Sequence, residues 1–506
     1  MVGWWGGNYA VMKTSLERSK GSDVPERVVV IGGGLSGLVV ANRLRESAQA
    51  ARRPAEVVVL EAKDRVGGAI WTERRDGFTL EGGPDSFITN KPWGVDLCRR
   101  LGLEDQLIET DPSHRRSFVV HRGRLAPIPE GFALMTPNRL LPLLASPILS
   151  IRGKLRLLAE ALIPRRQGDA DESLASFVRR RLGREALDRL VQPLVGGIYT
   201  GDPANLSIKA TLPQFPAMER ECGGLIRAAW RNRGSDKVRR GEAEASGARY
   251  GMFVSLADGM GALPRALAGA LPAGSVRTGS VVRRISRAPG GAGWLVEPLD
   301  GPPIEAAAVV ATTEAHATAR MIDAVDPALA LQLRAIPYAS SIIVNIAYRR
   351  DQVQHPLDGF GVVAPTIESR SILAASFLNV KFPQRAPAGT VLFRVFIGGA
   401  TQPELFDLND DGVLEIVARE LGDLLGVHGE PILTRIDRHA RSMPQYTLGH
   451  LERVEAIRRQ AARHPNLFLA GIAFDGIGIP DCVRAAESTA DAVTTALTNP
   501  GNIAAA

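Results

Sequence analysis

Gly32-Gly33-Gly34-Leu35-Ser36-Gly37 is the first stretch whose residue types and spacing could do chemistry. The spacing suits a turn that cradles a diphosphate. Gly32 allows a tight reversal, Gly34 lets the diphosphate approach the backbone, and Gly37 lets a following helix pack closely. The free N–H groups and partial positive charge of that helix would face the phosphates. Glu61, 24 residues after Gly37, could accept hydrogen bonds from ribose hydroxyls and would repel a ribose phosphate. A glycine pattern of this kind is weak evidence alone and strong evidence between a strand and a helix.

Two more stretches bear on the same ligand. Ala62-Lys63-Asp64-Arg65-Val66-Gly67-Gly68 offers a second glycine loop to the diphosphate, with Arg65 supplying charge. The glycines of Asp76–Asp85 suit a backbone passing close to a flat ring. Near the C-terminus, Leu469–Cys482 reads as a strand, a glycine-rich turn and a helix with Pro480 in its first turn. Its N–H groups and dipole could stabilise negative charge on a bound ring.

The elements that must position these residues follow from the hydrophobic pattern. Arg27–Ile31 predicts a buried parallel strand, followed by a helix from Leu38 to about Ala50 and a strand over Glu56–Glu61. This is a βαβ unit with a right-handed crossover. Strands are also predicted at 281–285, 293–296, 307–311, 341–348, 391–397 and 466–470, with helices at 411–425 and 480–497. Between 126 and 230, helices are predicted over 140–149, 152–163 and 173–194. The apolar, arginine-flanked stretch 139–166 is either two short core helices or an amphipathic surface that docks on a bilayer.

Composition sets outer bounds. A chain of 506 residues implies two or three domains. The net charge of +7 is modest, and no aromatic-basic pattern argues for nucleic acid. Three distant cysteines (Cys98, Cys222 and Cys482) indicate neither a zinc site nor a disulfide framework, and point to a reducing compartment. Residues 1–25 read as a tail rather than a signal peptide. No apolar run reaches the roughly 18 to 20 residues of a transmembrane helix.

The three motifs together resemble the flavin amine oxidase-like superfamily, which includes amine oxidases, phytoene desaturases and porphyrinogen oxidases, over about residues 26 to 498. Asp475-Gly476-Ile477-Gly478-Ile479-Pro480-Asp481-Cys482 looks like the porphyrinogen oxidase version of the C-terminal turn. Gly196–Pro203 followed by Leu206-Ser207, Gly359–Pro365, and Phe382-Pro383 with Arg385-Ala386-Pro387 resemble further segments of that branch. The resemblance implies an α/β fold: a Rossmann-like FAD-binding domain, an inserted mixed-sheet (α+β) substrate domain, and a helical domain. The expected division is 26–98, 250–325 and 462–498 for FAD; 99–124, 226–249 and 326–461 for substrate; and 125–225 for the helical part.

The resemblance also implies a set of FAD contacts. They are Gly32, Gly33, Gly34, Leu35, Ser36, Gly37, Glu61, Ala62, Arg65, Gly67, Gly68, Ala69, Gly83, Pro84, Asp85, Ser86, Val282, Gly471, Ile477, Gly478 and Ile479. The implied reaction is oxidation of coproporphyrinogen III or protoporphyrinogen IX in heme biosynthesis, by repeated hydride transfer to the flavin, with oxygen as acceptor and hydrogen peroxide as product. Ile346, Val363 and Phe382 would hold the macrocycle, with Gly197 leaving room for it. Many protoporphyrinogen oxidases place a propionate-pairing arginine about six residues before a glycine. Counting back from Gly123 gives Ser117, so Arg116 beside it is the candidate and the substrate choice stays open. No catalytic acid or base and no metal site is expected, and His439, His450 and His464 read as surface or structural. The expected partners are the porphyrinogen and oxygen, with membrane contact and a homodimer left open. The expected location is cytoplasmic, or peripheral on the inner face of a membrane. The rivals are a flavin amine oxidase, against which six tyrosines count, a carotenoid desaturase with a long tunnel, and a non-catalytic lipid- or protein-binding member without flavin.

Overall fold

The computed structural model describes residues 26–52, 55–232, 253–291 and 293–498. The expected tail, and much of the 226–249 segment, lie outside the described residues.

The strand Glu26–Ile31, apolar over Val28–Ile31, is the centre of a five-stranded parallel sheet. The strand order is Val276–Arg277, Ala55–Leu60, Glu26–Ile31, Ala308–Ala311, Leu467–Leu469. Successive side chains on a strand face opposite sides, and both sides are covered. Val28 and Val30 pack under the helices Leu35–Ala50, Ala262–Gly269 and Ile479–Thr498. Val29 and Ile31 pack against a three-stranded antiparallel sheet and the helices Ala315–Ile322, Pro327–Arg334 and His450–Ala461. Burial on both faces is why the strand sequence is continuous rather than alternating.

A seven-stranded mixed sheet forms the second layer system. Its long central strands Tyr338–Arg349 and Thr390–Gly398 are flanked on one side by Leu433–Pro444. On the other side come Ala374–Phe377, Gly361–Val363, Phe118–His121 and Arg124–Pro127. One face packs on the helix Asp410–Leu425. The opposite face meets the segment Phe78–Asp85 of the first unit, through Leu80, Ala347 and Leu392 and through a hydrogen bond from Asn345 Nδ2 to Glu81 O (3.1 Å).

The third unit is helical. The single helix predicted over 173–194 is instead two: Leu174–Arg181 stops before Gly183, whose φ is +96°, and a second run reaches Tyr199 through a π turn at Leu187–Val191. The helix predicted over 140–149 ends at Ala145, ahead of Pro147. Leu225 and Ile226 pack inside this helical core, across the expected boundary at 225. Its centre holds a fully buried ion pair, Arg181 with Glu160, and Glu160 also accepts from the N–H groups of Leu225 and Ile226. Among the described residues no helix is long and apolar enough to cross a membrane.

Candidate functional site

The first glycine turn forms as its spacing requires. Gly32 has a φ of +108°, and a β-carbon on Gly37 would stand 1.9 Å from Gly32 O. The helix Leu35–Ala50 begins after Gly34 with no side-chain cap, so its first N–H groups are left for a ligand. A β-carbon on Gly34 would find only Gly68 Cα, at 4.0 Å, so this position opens onto free space. Glu61 ends the neighbouring strand nearly buried, accepting from Gly33 N at 2.6 Å and from Lys63 N at 2.9 Å. An ionised carboxylate has about four acceptor positions, so capacity remains for ribose hydroxyls.

The second glycine loop lies across the first. Gly67 N donates to Gly33 O at 2.8 Å, and Gly34 and Gly67 form a parallel bridge. Arg65 Nη1 donates to Val66 O and Gly68 O (3.3 and 3.2 Å), and its guanidinium sits 4.9 Å from the Trp71 ring centre. Burial pulls the Arg65 pKa below its ordinary value, against the pull of Asp64 and Glu61. Gly83 is needed for close packing: its β-carbon would be 1.9 Å from Ala69 O.

The C-terminal turn comes back to the same place. Strand Leu467–Leu469 is parallel to Ala308–Ala311, and Ala470 N donates to Ala311 O. Gly471, with a φ of +121°, passes Thr312: its β-carbon would be 3.4 Å from Thr312 O, and one on Gly32 would be 2.7 Å from Thr312 Oγ1. Thr312 therefore joins the two turns. The helices Leu35–Ala50 and Ile479–Thr498 follow strands of one parallel sheet and pack together, so both begin at its carboxyl edge. Cys482 on the second donates to Gly476 O at 3.8 Å, and burial pushes its thiol up to about 12. Val282 lies beyond Glu61, whose O accepts from Ser280 N at 2.8 Å.

Asp85 and Ser86 do something other than face a ligand. The Asp85 carboxylate is buried against Lys381 Nζ (3.0 Å) and Arg394 Nη1 (3.3 Å), and Ser86 Oγ donates to it. Burial raises its pKa, but the two cations outweigh that and hold it well below the ordinary carboxylate range. Arg394 also donates to Gly83 O, and His439 Nε2 lies 2.7 Å from Gly82 O. Pro84, between them, is exposed.

The candidate macrocycle residues separate. A β-carbon on Gly197, an exposed position, would touch Val363 Cγ1 at 4.0 Å. Ile198, Phe396 and Ile477 pack on the same apolar cluster as Val363. Helical unit, mixed sheet and C-terminal turn thus share one apolar wall. Ile346 is not on it: it pairs with Phe393 and lies with Val344 and Tyr348 in the core against the helix Asp410–Leu425. Phe382 is fully buried among Phe78, Leu80 and Leu392, with Lys381 Nζ 5.2 Å from its ring centre. Arg116 is bonded to the carboxylate of Asp358 and donates to Asp358 O at 2.6 Å. A propionate would have to compete with that carboxylate.

Sequence reasoning missed Thr312, Trp71, Lys381, Arg394 and Tyr446. Lys381 precedes the quoted Phe382-Pro383 motif, which was the available signal for it. Of the three histidines, His450 is the most buried. It stacks on Tyr446 at 4.1 Å, neither ring nitrogen has a hydrogen-bond partner, and its pKa is pushed down to about 4 by burial and then by Arg453, against a smaller pull from Asp475. The unfolded chain takes up this proton near pH ~6.5, where the folded chain refuses it. Stability is therefore expected to fall as pH drops from ~6.5 to 4, by about 3 kcal/mol for this group. Urea midpoints at pH ~7 and ~4.5 should differ less in His450→Phe than in the unaltered protein; equal differences would remove the assignment.

Among the described residues, no group of three or more His, Cys, Asp or Glu side chains could hold a metal ion. Residues 35–494 match the family described as flavin containing amine oxidoreductase. The coproporphyrinogen III oxidase of Propionibacterium freudenreichii subsp. freudenreichii is 36% identical over 489 residues, covering 92% of this chain and 90% of that protein. The coproporphyrinogen III oxidase of Bacillus subtilis (strain 168) is 32% identical over 475 residues, covering 94% and 99%. A crystal structure from Exiguobacterium sp. 255-15 superposes with a TM-score of 0.81 at 28% identity, covering 92% of this chain and 98% of that one.

Proposed function

Because this chain belongs to the flavin containing amine oxidoreductase family, we propose that it binds FAD and oxidises a porphyrinogen to the porphyrin in heme biosynthesis, with molecular oxygen as final acceptor. The observation that carries the reading is the meeting of two glycine turns at Thr312, with Ile477 of the second turn packed on one apolar cluster with Val363, beside Gly197. The fit to FAD rests on the uncapped helix start after Gly34 and the open space at its β-carbon position, with Glu61 placed for the ribose. Coproporphyrinogen III is the favoured substrate, supported by the names of the two relatives described above, at 36% and 32% identity.

Bound FAD supplies the hydride acceptor and passes the electrons on to oxygen. The chain supplies position and electrostatics. The uncapped helix start and the Gly67-Gly68 loop hold the diphosphate, and Glu61 holds the ribose. The start of the helix Ile479–Thr498 places partial positive charge beside the turn, where negative charge on the ring would be stabilised. Gly197 leaves open the face that Val363 and Ile477 line, and these apolar side chains exclude water from it. The ionisable groups beside the 82–85 turn are already engaged: Asp85 with Lys381 and Arg394, Arg385 with Glu81, and His439 with Gly82 O. They orient the turn instead of moving protons, in keeping with a substrate whose pyrrole nitrogens assist hydride loss themselves.

Purified protein with FAD, given coproporphyrinogen III or protoporphyrinogen IX in air, should generate porphyrin fluorescence and hydrogen peroxide, faster with the former. Fluorescence no faster than the protein-free control with both substrates would end this reading.

A peripheral membrane contact belongs to the same proposal. Leu141, Ile151, Leu155 and Leu162 are 81, 77, 62 and 82% exposed, and Arg152 and Lys154 lie among them. Apolar side chains fringed by cations suit an anionic bilayer surface. The protein is expected to float with anionic vesicles, and Ile151→Asp with Leu155→Asp is expected to leave it at the bottom of the gradient. Equal flotation of both proteins would count against this face.

A further inference from the structure

Residues 445–450 connect the edge strand Leu433–Pro444 to the helix His450–Ala461, and their side chains reach in two directions. Gln445 and Tyr446 are both nearly buried. Gln445 Nε2 donates to Tyr199 O at 3.0 Å, at the end of the helix that carries Gly197. Backbone bonds fasten the same side: Ser207 N donates to Tyr446 O at 2.8 Å, and Leu448 N donates to Asn205 O at 3.1 Å. Tyr446 faces the other way. Its hydroxyl donates to Ile472 O at 2.6 Å and accepts from Gly476 N at 2.9 Å. One oxygen thus closes the C-terminal turn, and His450 stacks flat on the ring behind it, 14° from parallel.

We propose that Gln445 and Tyr446 form a strap that sets the turn Ile472–Gly476 in register with the helix end at Tyr199, with Tyr446 as a positioning residue for the flavin side and Gln445 for the substrate side. The inference rests on the porphyrinogen oxidase reading and adds to it how the two halves of the site are held at a fixed separation. Without the hydroxyl, Ile472 O and Gly476 N lose their shared partner in a half-buried place, which favours a rearranged turn. Ile477 follows directly and packs on the wall shared with Val363. A rearranged turn therefore displaces both that wall and the N–H groups presented to the ring. N–H groups aimed at developing negative charge act through alignment, so the effect falls on reduction of the ring more than on capture of the substrate.

The test uses the FAD-loaded protein and two variants, Tyr446→Phe and Gln445→Met. Flavin midpoint potential is read by dye equilibration without substrate, and flavin bleaching by coproporphyrinogen III is read without oxygen. Tyr446→Phe is expected to keep its FAD, to show a lower potential, and to bleach at least about tenfold more slowly at saturation, with half-saturation within about twofold. Gln445→Met is expected to show the converse: half-saturation raised about fivefold or more at an unchanged potential. The strap is overturned if Tyr446→Phe keeps both potential and rate, or if its slower rate only tracks lost FAD. Should Tyr446→Phe fail to fold, Gln445→Met decides alone, and an unaltered half-saturation overturns the proposal. If the unaltered protein bleaches with neither porphyrinogen, the functional reading fails, while the substrate-free potentials still judge the Tyr446 clasp.

Discussion

Gly34→Ala is expected to give a folded protein that has lost FAD, and Gly37→Ala a protein that loses FAD because the turn itself can no longer close. The two glycines are three residues apart in one motif, yet the structure gives them different work. At Gly34 the backbone is extended, with a φ of −72° and a ψ of −178°, which any residue adopts. The nearest atom to an added methyl is 4.0 Å away. The apo fold should accept alanine there, and the methyl group would occupy the space where the diphosphate comes close. At Gly37 the methyl group would meet Gly32 O at 1.9 Å and Thr312 Oγ1 at 2.7 Å. Neither is the end of a flexible side chain with somewhere to go: one is backbone, and the other donates to Ile31 O and Gly32 O. The helix must move off the sheet by about an ångström, and a misplacement of that size can cost about a hundredfold where geometry matters. A hundredfold loss of FAD affinity is about 2.8 kcal/mol. Flavin absorbance per protein and urea midpoints of the apoproteins measure both. A Gly34→Ala protein with full FAD content would remove the diphosphate from this turn.

How much of this was legible beforehand depends on what each residue's neighbours demanded. The parallel sheet could be read from sequence because a strand buried on both faces must be apolar throughout, as Val28 to Ile31 are. The strand Leu433–Pro444 could not. It is an edge strand carrying Arg435, Asp437 and Arg438: Arg435 pairs with Asp437 in the strand and with Glu73, and Arg438 pairs with Asp410. Edge strands tolerate such charges, and the sequence LTRIDRHARSMP therefore has no strand signature. Ile346 failed for a related reason. A central strand covered on both sides offers apolar residues of either parity, and a shift of one position changes the face. Asn345, its neighbour, is the residue turned toward the 81–85 segment. Phe382 belongs to a motif that the resemblance picked out, but its ring fills a core and its neighbour Lys381 carries the contact to Asp85. The glycine turns were legible because each glycine answers a local steric demand. Thr312 and Tyr446 were not, because their roles exist only once strands distant in sequence lie side by side.

Asp85→Asn is expected to destabilise the protein by about 5 kcal/mol, the upper end of what breaking a buried ion pair costs. The reason is the count of cations. Lys381 and Arg394 both lean on this carboxylate, and both are nearly buried. Asparagine keeps acceptor capacity for Ser86 and Lys381 but leaves two charges without their counter-ion. Arg394 also holds Gly83 O, so the turn at Gly82–Asp85 loosens and FAD is retained less well. The sign of the pH dependence separates this effect from that of His450. A carboxylate held below its ordinary range gives its full contribution above the unfolded value of about 3.9 and loses it only as pH falls further. The cost of Asp85→Asn is therefore expected to be constant from pH ~5 to ~8, across which the His450 contribution changes. Adding Lys381→Met removes one uncompensated cation, so the double variant is expected to be more stable than Asp85→Asn alone. Groups in direct contact show such coupling. Chemical denaturation of the four proteins at two pH values measures the cycle. A double variant whose loss equals the sum of the single losses would mean that Lys381 and Asp85 act independently, and the site would then need another explanation for the charge buried behind its central turn.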